Sequence, residues 1–173
     1  MFCFAKCEKE KPIDSTNNDI PGLPPATQVG ANTFGCLING IPWVPEGYGG
    51  GSPNLSIDYD PGFNNGIFGI AAYRKTVSDN TSMAIGVGDS IRLINAPYTF
   101  NIGFKGLGGA YYIDSFYCER MSTDSSHKSS GFITISKLDR STRIIAGSFE
   151  FTLFNANCGD TIKITNGRFD FKF

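Results

Sequence analysis

Apolar and polar positions alternate most strictly over residues 131–173. "FITISKL" (132–138) runs into the turn "DRST", and "RIIAGSFEFTLF" (143–154) follows. That run sets Phe149, Phe151 and Leu153 on one face and Glu150 and Thr152 on the other. Gly147 within it marks a bulge. "TIKIT", then Asn166-Gly167, then "RFDFKF" reads as a hairpin, because both central positions of a type I′ turn need positive φ. Ile162 and Ile164 then face Phe169, Phe171 and Phe173, while Arg168, Asp170 and Lys172 point to solvent. A period of two this regular predicts a sheet with one wet face.

The same signals recur upstream. "TFGCLINGIPWVP" places Asn39-Gly40 between two apolar arms, a second hairpin signal. Pro42 cannot donate a ladder bond, so its arm is an edge or leaves the sheet early. "EGYGGGSPN" reads as a flexible loop, and "LSIDYD" (55–60), "IFGIAAYR" (67–74), "SIRLI" (90–94), "YTFNIGF" (98–104) and "YYIDSFYC" (111–118) as strands. No helix is predicted. About nine or ten short strands with turns between them predict a single antiparallel β-sandwich or small barrel over residues 33–173. Residues 8–32 hold four prolines and almost no large apolar side chain, too little to offset the entropy of ordering them. They are expected to form a disordered tether, so the domain boundary falls between 32 and 33.

Composition agrees with the pattern. The 173 residues include 15 Phe, 7 Tyr and 21 Gly, the residues of strands, turns and bulges. A net charge of −1 with no basic cluster disfavours nucleic acid as a partner. No apolar run approaches the ~20 residues of a membrane helix. The five cysteines, Cys3, Cys7, Cys36, Cys118 and Cys158, match no zinc spacing.

Candidate chemistry is sparse. "GVGDSI" (86–91) resembles the nucleophile block of the GDS-type esterases and lipases, and "DSSH" (124–127) has the spacing of their acid–base pair. On that reading Ser90 attacks, His127 takes its proton and Asp124 orients the imidazole. The intervening chain is short and shows no helix, the asparagine block is missing, and His127 reads more simply as a solvated residue of a Ser-rich loop. Asp58, Asp60, Asn64 and Asn65 offer oxygen ligands, but ordinary turns explain them and they miss the calcium-loop spacing. No cofactor or metal is expected. Among the aromatics, Tyr59, Tyr73, Tyr98, Tyr111, Tyr112 and Tyr117 read mostly as core, with an exposed stacking platform for glycan or peptide possible among them. Trp43 and Tyr48 flank the Gly-rich loop and are the expected binding surface.

"LPPATQVGANTFGCLINGIPWVP" and "GFITISKLDRSTRIIAGSFEFTLFNANCGDTIKITNGRFDFKF" resemble an uncharacterised family of Bacteroidota lipoproteins, a domain of unknown function. The resemblance implies an exported, all-β protein anchored by lipid in the bacterial outer membrane. Cys7 followed by "EKEKP" is similar to the acylated cysteine and polar tether of such proteins. Lys6 stands where a small residue is expected, and only six residues precede Cys7, too few for a signal's apolar core. Residues 1–32 are therefore expected to hold the remnant of an export signal and the tether. Export would put Cys36, Cys118 and Cys158 where one disulfide can form, with buried thiols as the alternative. The expected function is a non-enzymatic, membrane-tethered binding module for a glycan or protein. The alternatives are an accessory subunit of an envelope assembly and a small esterase using Ser90 and His127.

Overall fold

The computed structural model describes residues 20–47 and 53–173. Eleven strands form among the described residues, in chain order: β1 (Thr33–Ile38), β2 (Ile41–Trp43), β3 (Leu55–Asp60), β4 (Ile67–Lys75), β5 (Asn80–Val87), β6 (Tyr98–Ile102), β7 (Gly108–Ile113), β8 (Glu119–Met121), β9 (Lys128–Asp139), β10 (Ile144–Asn155) and β11 (Asp160–Lys172). All belong to one sheet with the order β2-β1-β11-β10-β9-β6-β7-β5-β4-β3, and β8 pairs with β7. The all-β expectation holds, but the sheet is mixed, since β6 and β7 pair in parallel. It is neither a closed barrel nor two separate sheets. Pairing of β6 with both β9 and β7 keeps it continuous, and its end strands β2 and β3 share no ladder among the described residues.

The sheet curls so that its inner face buries against itself. Phe68 of β4 packs on Phe169 of β11, and Tyr59 of β3 on Phe173, with ring centroids 5.4 and 4.2 Å apart. Phe34 of β1 stacks on Phe149 of β10 at 5.1 Å. Phe149, Phe151 and Leu153 are fully buried, as their alternation predicts. The Asn39-Gly40 turn is also as predicted, both residues at positive φ and Ile38 opposite Ile41. At Gly147 the register with β9 shifts, the expected bulge, with the extra residue on β9.

Asn166-Gly167 is not a hairpin turn. Residues 160–172 form one strand, laddered to β10 on one side and β1 on the other. The dipeptide is a bulge on β11: Gly167 lies opposite Phe149 and Ile164 opposite Phe151, so three steps on β11 match two on β10. One inserted residue inverts the parity of the strand. Ile162 and Ile164 upstream and Phe169 and Phe171 downstream therefore all reach the core. Asn166 takes the left-handed conformation at φ 53°, and a Cβ on Gly167 would come within 2.4 Å of Phe149. The two runs share a face as expected, but a bulge, not a turn, puts them there.

Two further expectations change. "SIRLI" is no strand: Ile91–Leu93 is a short 3-10 turn, with Ile91 buried. The neighbouring strand is β5, whose outward positions Ser82, Ala84 and Gly86 are too small to show a polar period. Residues 20–32 are not a free tether. They lie along the outer face as a strap, held by the buried Asp170 of β11, which accepts hydrogen bonds from Thr27 Oγ1 (2.6 Å), Val29 N (3.0 Å) and Gly30 N (2.7 Å). Lys137 Nζ donates to the Gln28 carbonyl at 2.9 Å, and Lys172 N to Asn32 Oδ1 at 3.1 Å. Arg168 Nη1 reaches the Pro24 carbonyl at 3.3 Å. Asp170 and Arg168, expected in solvent, are buried because the strap covers them. The earlier part of the expected tether, 1–19, lies outside the described residues.

The register makes a stability prediction. Phe151→Ala and Phe171→Ala should each cost about 3–5 kcal/mol in denaturant unfolding, and Lys172→Ala, whose side chain is exposed, close to nothing. The strap makes a second one. Burial alone would raise the Asp170 pKa, but hydrogen bonds from Thr27, Val29, Gly30 and Ala31 outweigh it and hold the carboxyl below the usual range. Its contribution is thus fully present above the ordinary aspartate pKa of about 4 and is lost as pH falls through the lower folded-state value. Asp170→Ala should cost on the order of 3 kcal/mol at pH 7, remove part of the acid sensitivity, and expose residues 20–32 to limited proteolysis.

Candidate functional site

Of the residues singled out in the sequence, Trp43 is buried, 5% exposed. Its indole Nε1 donates to Thr81 Oγ1 at 2.9 Å, and its ring meets Phe34 edge-on at 6.2 Å. Trp43 therefore presents no open stacking face. Pro42 does not free the arm, because β2 stays in register with β1 and sets Trp43 opposite the buried Cys36. Tyr48 lies outside the described residues, as does Cys7.

Ser90 and His127 are not brought together. Ser90 Oγ donates to Asp89 Oδ1 at 2.8 Å. The backbone N–H groups of Ile91 and Arg92, which would have to serve an oxyanion, are bound to the carbonyls of Gly66 and Asn65. His127 is not a solvated loop residue: its side chain is 10% exposed, and Nδ1 accepts the Met121 N–H at 3.0 Å. Its other nitrogen faces Asp124 at 3.9 Å, so neither ring nitrogen is turned to Ser90. Asp60 Oδ1 accepts the Gly62 N–H, and Asn64 and Asn65 tie their loop to Gly88 and Asp89. No group of three or more His, Cys, Asp or Glu side chains that could hold a metal ion occurs among the described residues.

Cys118 and Cys158 form a disulfide with Cα atoms 5.7 Å apart, joining the start of β8 to the β10–β11 connection. Among the described residues Cys36 is the free thiol; it is buried, 4.0 Å from Met83 Sδ, and burial pushes its pKa far up.

The disulfide closes a loop where the sequence pattern predicts strand. β7 stops at Ile113 because Asp114 turns the chain: Oδ1 accepts the N–H groups of Phe116 (2.9 Å) and Cys118 (3.0 Å). Burial would raise the Asp114 pKa, yet these bonds and the Arg120 guanidinium hold it low. Arg120 is 1% exposed; it pairs with Asp114 at 3.1 Å and with Asp160, and lies over the Tyr112 ring. A buried arginine with two carboxylates and a disulfide thus grip both ends of residues 114–118. At the tip Phe116 and Tyr117 are 91% and 71% exposed. Tyr117 sits at φ 61°, a strained conformation for a bulky side chain.

Tyr117 forms one wall of a cleft of about 410 Å³ at the β4–β5 end of the sheet. Tyr73, half exposed, lines it too, with Asn54, Asn80, Ser82 and Ile113. A polar chain fixes the rim. Glu46 pairs with Arg74, Arg74 with Asp79, and Asp79 accepts from Ser115 Oγ (3.3 Å). Ser115 accepts the Asn80 N–H, and Asn80 Nδ2 donates to the Tyr117 hydroxyl at 3.3 Å. Thr81, which holds Trp43 from behind, also borders the cleft. From the cleft the outer face continues over small residues of β4 and β5, Ala71-Ala84, beside which stands Tyr111 of β7, and then Gly69-Gly86-Gly109. The signal for this site in the sequence was Phe116-Tyr117 beside a cysteine, two large aromatics where a pairing cysteine could anchor them.

Trp43 as sole tryptophan gives a direct check. Its emission should be blue and barely quenched by acrylamide in the native protein. Thr81→Val, which strands the indole N–H, should cost about 1–3 kcal/mol of stability.

No curated protein and no solved structure matches the chain. Residues 62–170, which carry β4 through most of β11 and so both the disulfide and the aromatic loop, match the profile of a family described as Domain of unknown function (DUF6252). With well over half of its length matched, the chain belongs to that family.

Proposed function

We propose that the protein is a non-enzymatic ligand-binding module of the bacterial cell envelope. Lipid on Cys7 would tether it to the outer membrane, and the Tyr73–Tyr117 cleft would meet its ligand. The observation that carries this reading is Tyr117: a bulky ring exposed in a strained backbone conformation, in a loop clamped at both ends. A free loop would relax such strain, and an exposed aromatic gains nothing for folding, so both features make sense as recognition. The address is supported by the disulfide, which belongs in an oxidising compartment, and by the sequence at Cys7, a cysteine followed by the polar run "EKEKP". An accessory subunit of an envelope assembly is the second reading. Exposed Phe63, Phe104 and Leu107 favour it; they sit on the β3–β4 and β6–β7 loops, at the other end of β4 and β7 from the cleft.

Both halves of the proposal are testable. In cells expressing the protein from its native locus, a clickable fatty acid should label it, and Cys7→Ala should abolish the label. Label that persists in Cys7→Ala, or never appears, removes the anchor. The immobilised domain should retain material from an envelope extract, and Tyr73→Ala and Tyr117→Ala should each lower that retention several-fold. Retention indifferent to both changes removes the cleft as the binding site.

A further inference from the structure

From the cleft's chemistry we infer that its ligand is a neutral carbohydrate; this rests on the reading of the cleft as the binding site. The backbone around the cleft is already bonded. Tyr73 N donates to the Asn54 carbonyl (2.8 Å), its own carbonyl accepts from Glu46 N (3.2 Å), and Lys75 N donates to the Glu46 carbonyl (2.9 Å). On the other side Tyr73 pairs with Ser82 and Lys75 with Asn80, while Ile113 lies between Ser82 and Glu119. An extended peptide recognised by strand addition needs a free edge, and the segments of β4, β5 and β7 that line the cleft are bonded on both sides. Recognition falls to side chains.

The charges at the rim balance. Arg74 is held by Glu46 and Asp79, and Lys75 is the other cation, so two positive groups meet two carboxylates. A phosphate-rich or polyanionic ligand would need a surplus of cations. Lys75 makes no ion pair among the described residues, a single cation rather than a cluster; the other uncommitted groups are neutral. Asn54 and Ser82 make no side-chain hydrogen bond among the described residues, and Asn80 spends only its amide nitrogen, on the Tyr117 hydroxyl. Two tyrosine rings beside uncommitted amide and hydroxyl groups match a ligand with C–H faces for stacking and a rim of hydroxyl groups that donate and accept. That ligand is a sugar. The Tyr117 ring is positioned for it in advance by the Asn80 bond and the clamped loop, which lowers the ordering cost of binding.

The test uses the full chain and immobilised neutral oligosaccharides (gluco-, manno-, galacto- and xylo-configured), a uronate oligosaccharide series, and a library of unstructured peptides. Binding is read by interferometry and by Trp43 emission, which Thr81 couples to the cleft. At least one neutral series should bind, with Tyr73→Ala and Tyr117→Ala each weakening it ten-fold or more. Tyr98→Ala, exposed on a different strand, should leave it unchanged. Because Tyr117→Ala could alter the loop, Tyr73→Ala on the regular strand β4 and Asn54→Ala serve as second variants, each with its unfolding midpoint measured. Periodate, which cleaves vicinal diols, should destroy retention of the envelope fraction, and protease should not. Retention that survives periodate and is lost to protease, binding confined to the uronate or peptide probes, or no neutral series bound overturns the carbohydrate inference. If that retention still depends on Tyr73 and Tyr117, the binding-module reading stands without it. Sugar binding indifferent to both tyrosines overturns both.

Discussion

A sheet of eleven strands with one apolar face must bury that face, and the described residues supply no packing helix and no second sheet to do it. The sheet instead closes over its own inner surface, so that β11 and β1 face β3, β4 and β5. Phenylalanine makes this work. Phe34, Phe68, Phe149, Phe151, Phe169 and Phe171 fill the space between the two ends of one ladder with rings rather than with a second layer of backbone. The arrangement depends on β11, because its two halves must present to the same interior. The inserted residue at Asn166-Gly167 meets that requirement.

The outer face is dressed unevenly, and each region has its own reason. Over β11 the strap covers Asp170 and Arg168, and the carboxylate of Asp170 turns a proline-rich segment into an ordered one by accepting its N–H groups. Over β4 and β5 the strap is absent among the described residues, and the small outward residues Gly69, Ala71, Ser82, Ala84 and Gly86 leave the sheet shallow. At the end of that bare face stands the aromatic loop. Arg120 is buried at a cost in solvation that two carboxylates and a tyrosine ring offset, so the loop's shape does not depend on a bound ligand. A rigid aromatic tip beside an uncovered face is the combination from which the binding proposal grows.

Taken alone, the sequence determined the features that local chemistry dictates. The period of two in residues 143–154 made Phe149, Phe151 and Leu153 core, because strand geometry sends alternate side chains to opposite faces whatever the neighbours are. Asn39-Gly40 made a hairpin, because few other pairs tolerate positive φ twice in succession. Tertiary structure decided whatever depended on a distant partner. The same dipeptide at 166–167 became a bulge, because β1 and β10 flank that strand on both sides and hold it straight through. Residues 20–32 had too little apolar surface to order themselves, but a carboxylate more than a hundred positions away supplied the missing acceptors. Trp43 left the proposed surface because Thr81 and Phe34 received it, and Tyr117 entered because a disulfide spanning 40 residues fixed its loop. Composition records how much apolar surface and how many turns a chain carries. Which polar group meets which is settled only when the sheet closes, because each such contact joins segments whose separation along the chain leaves no local trace.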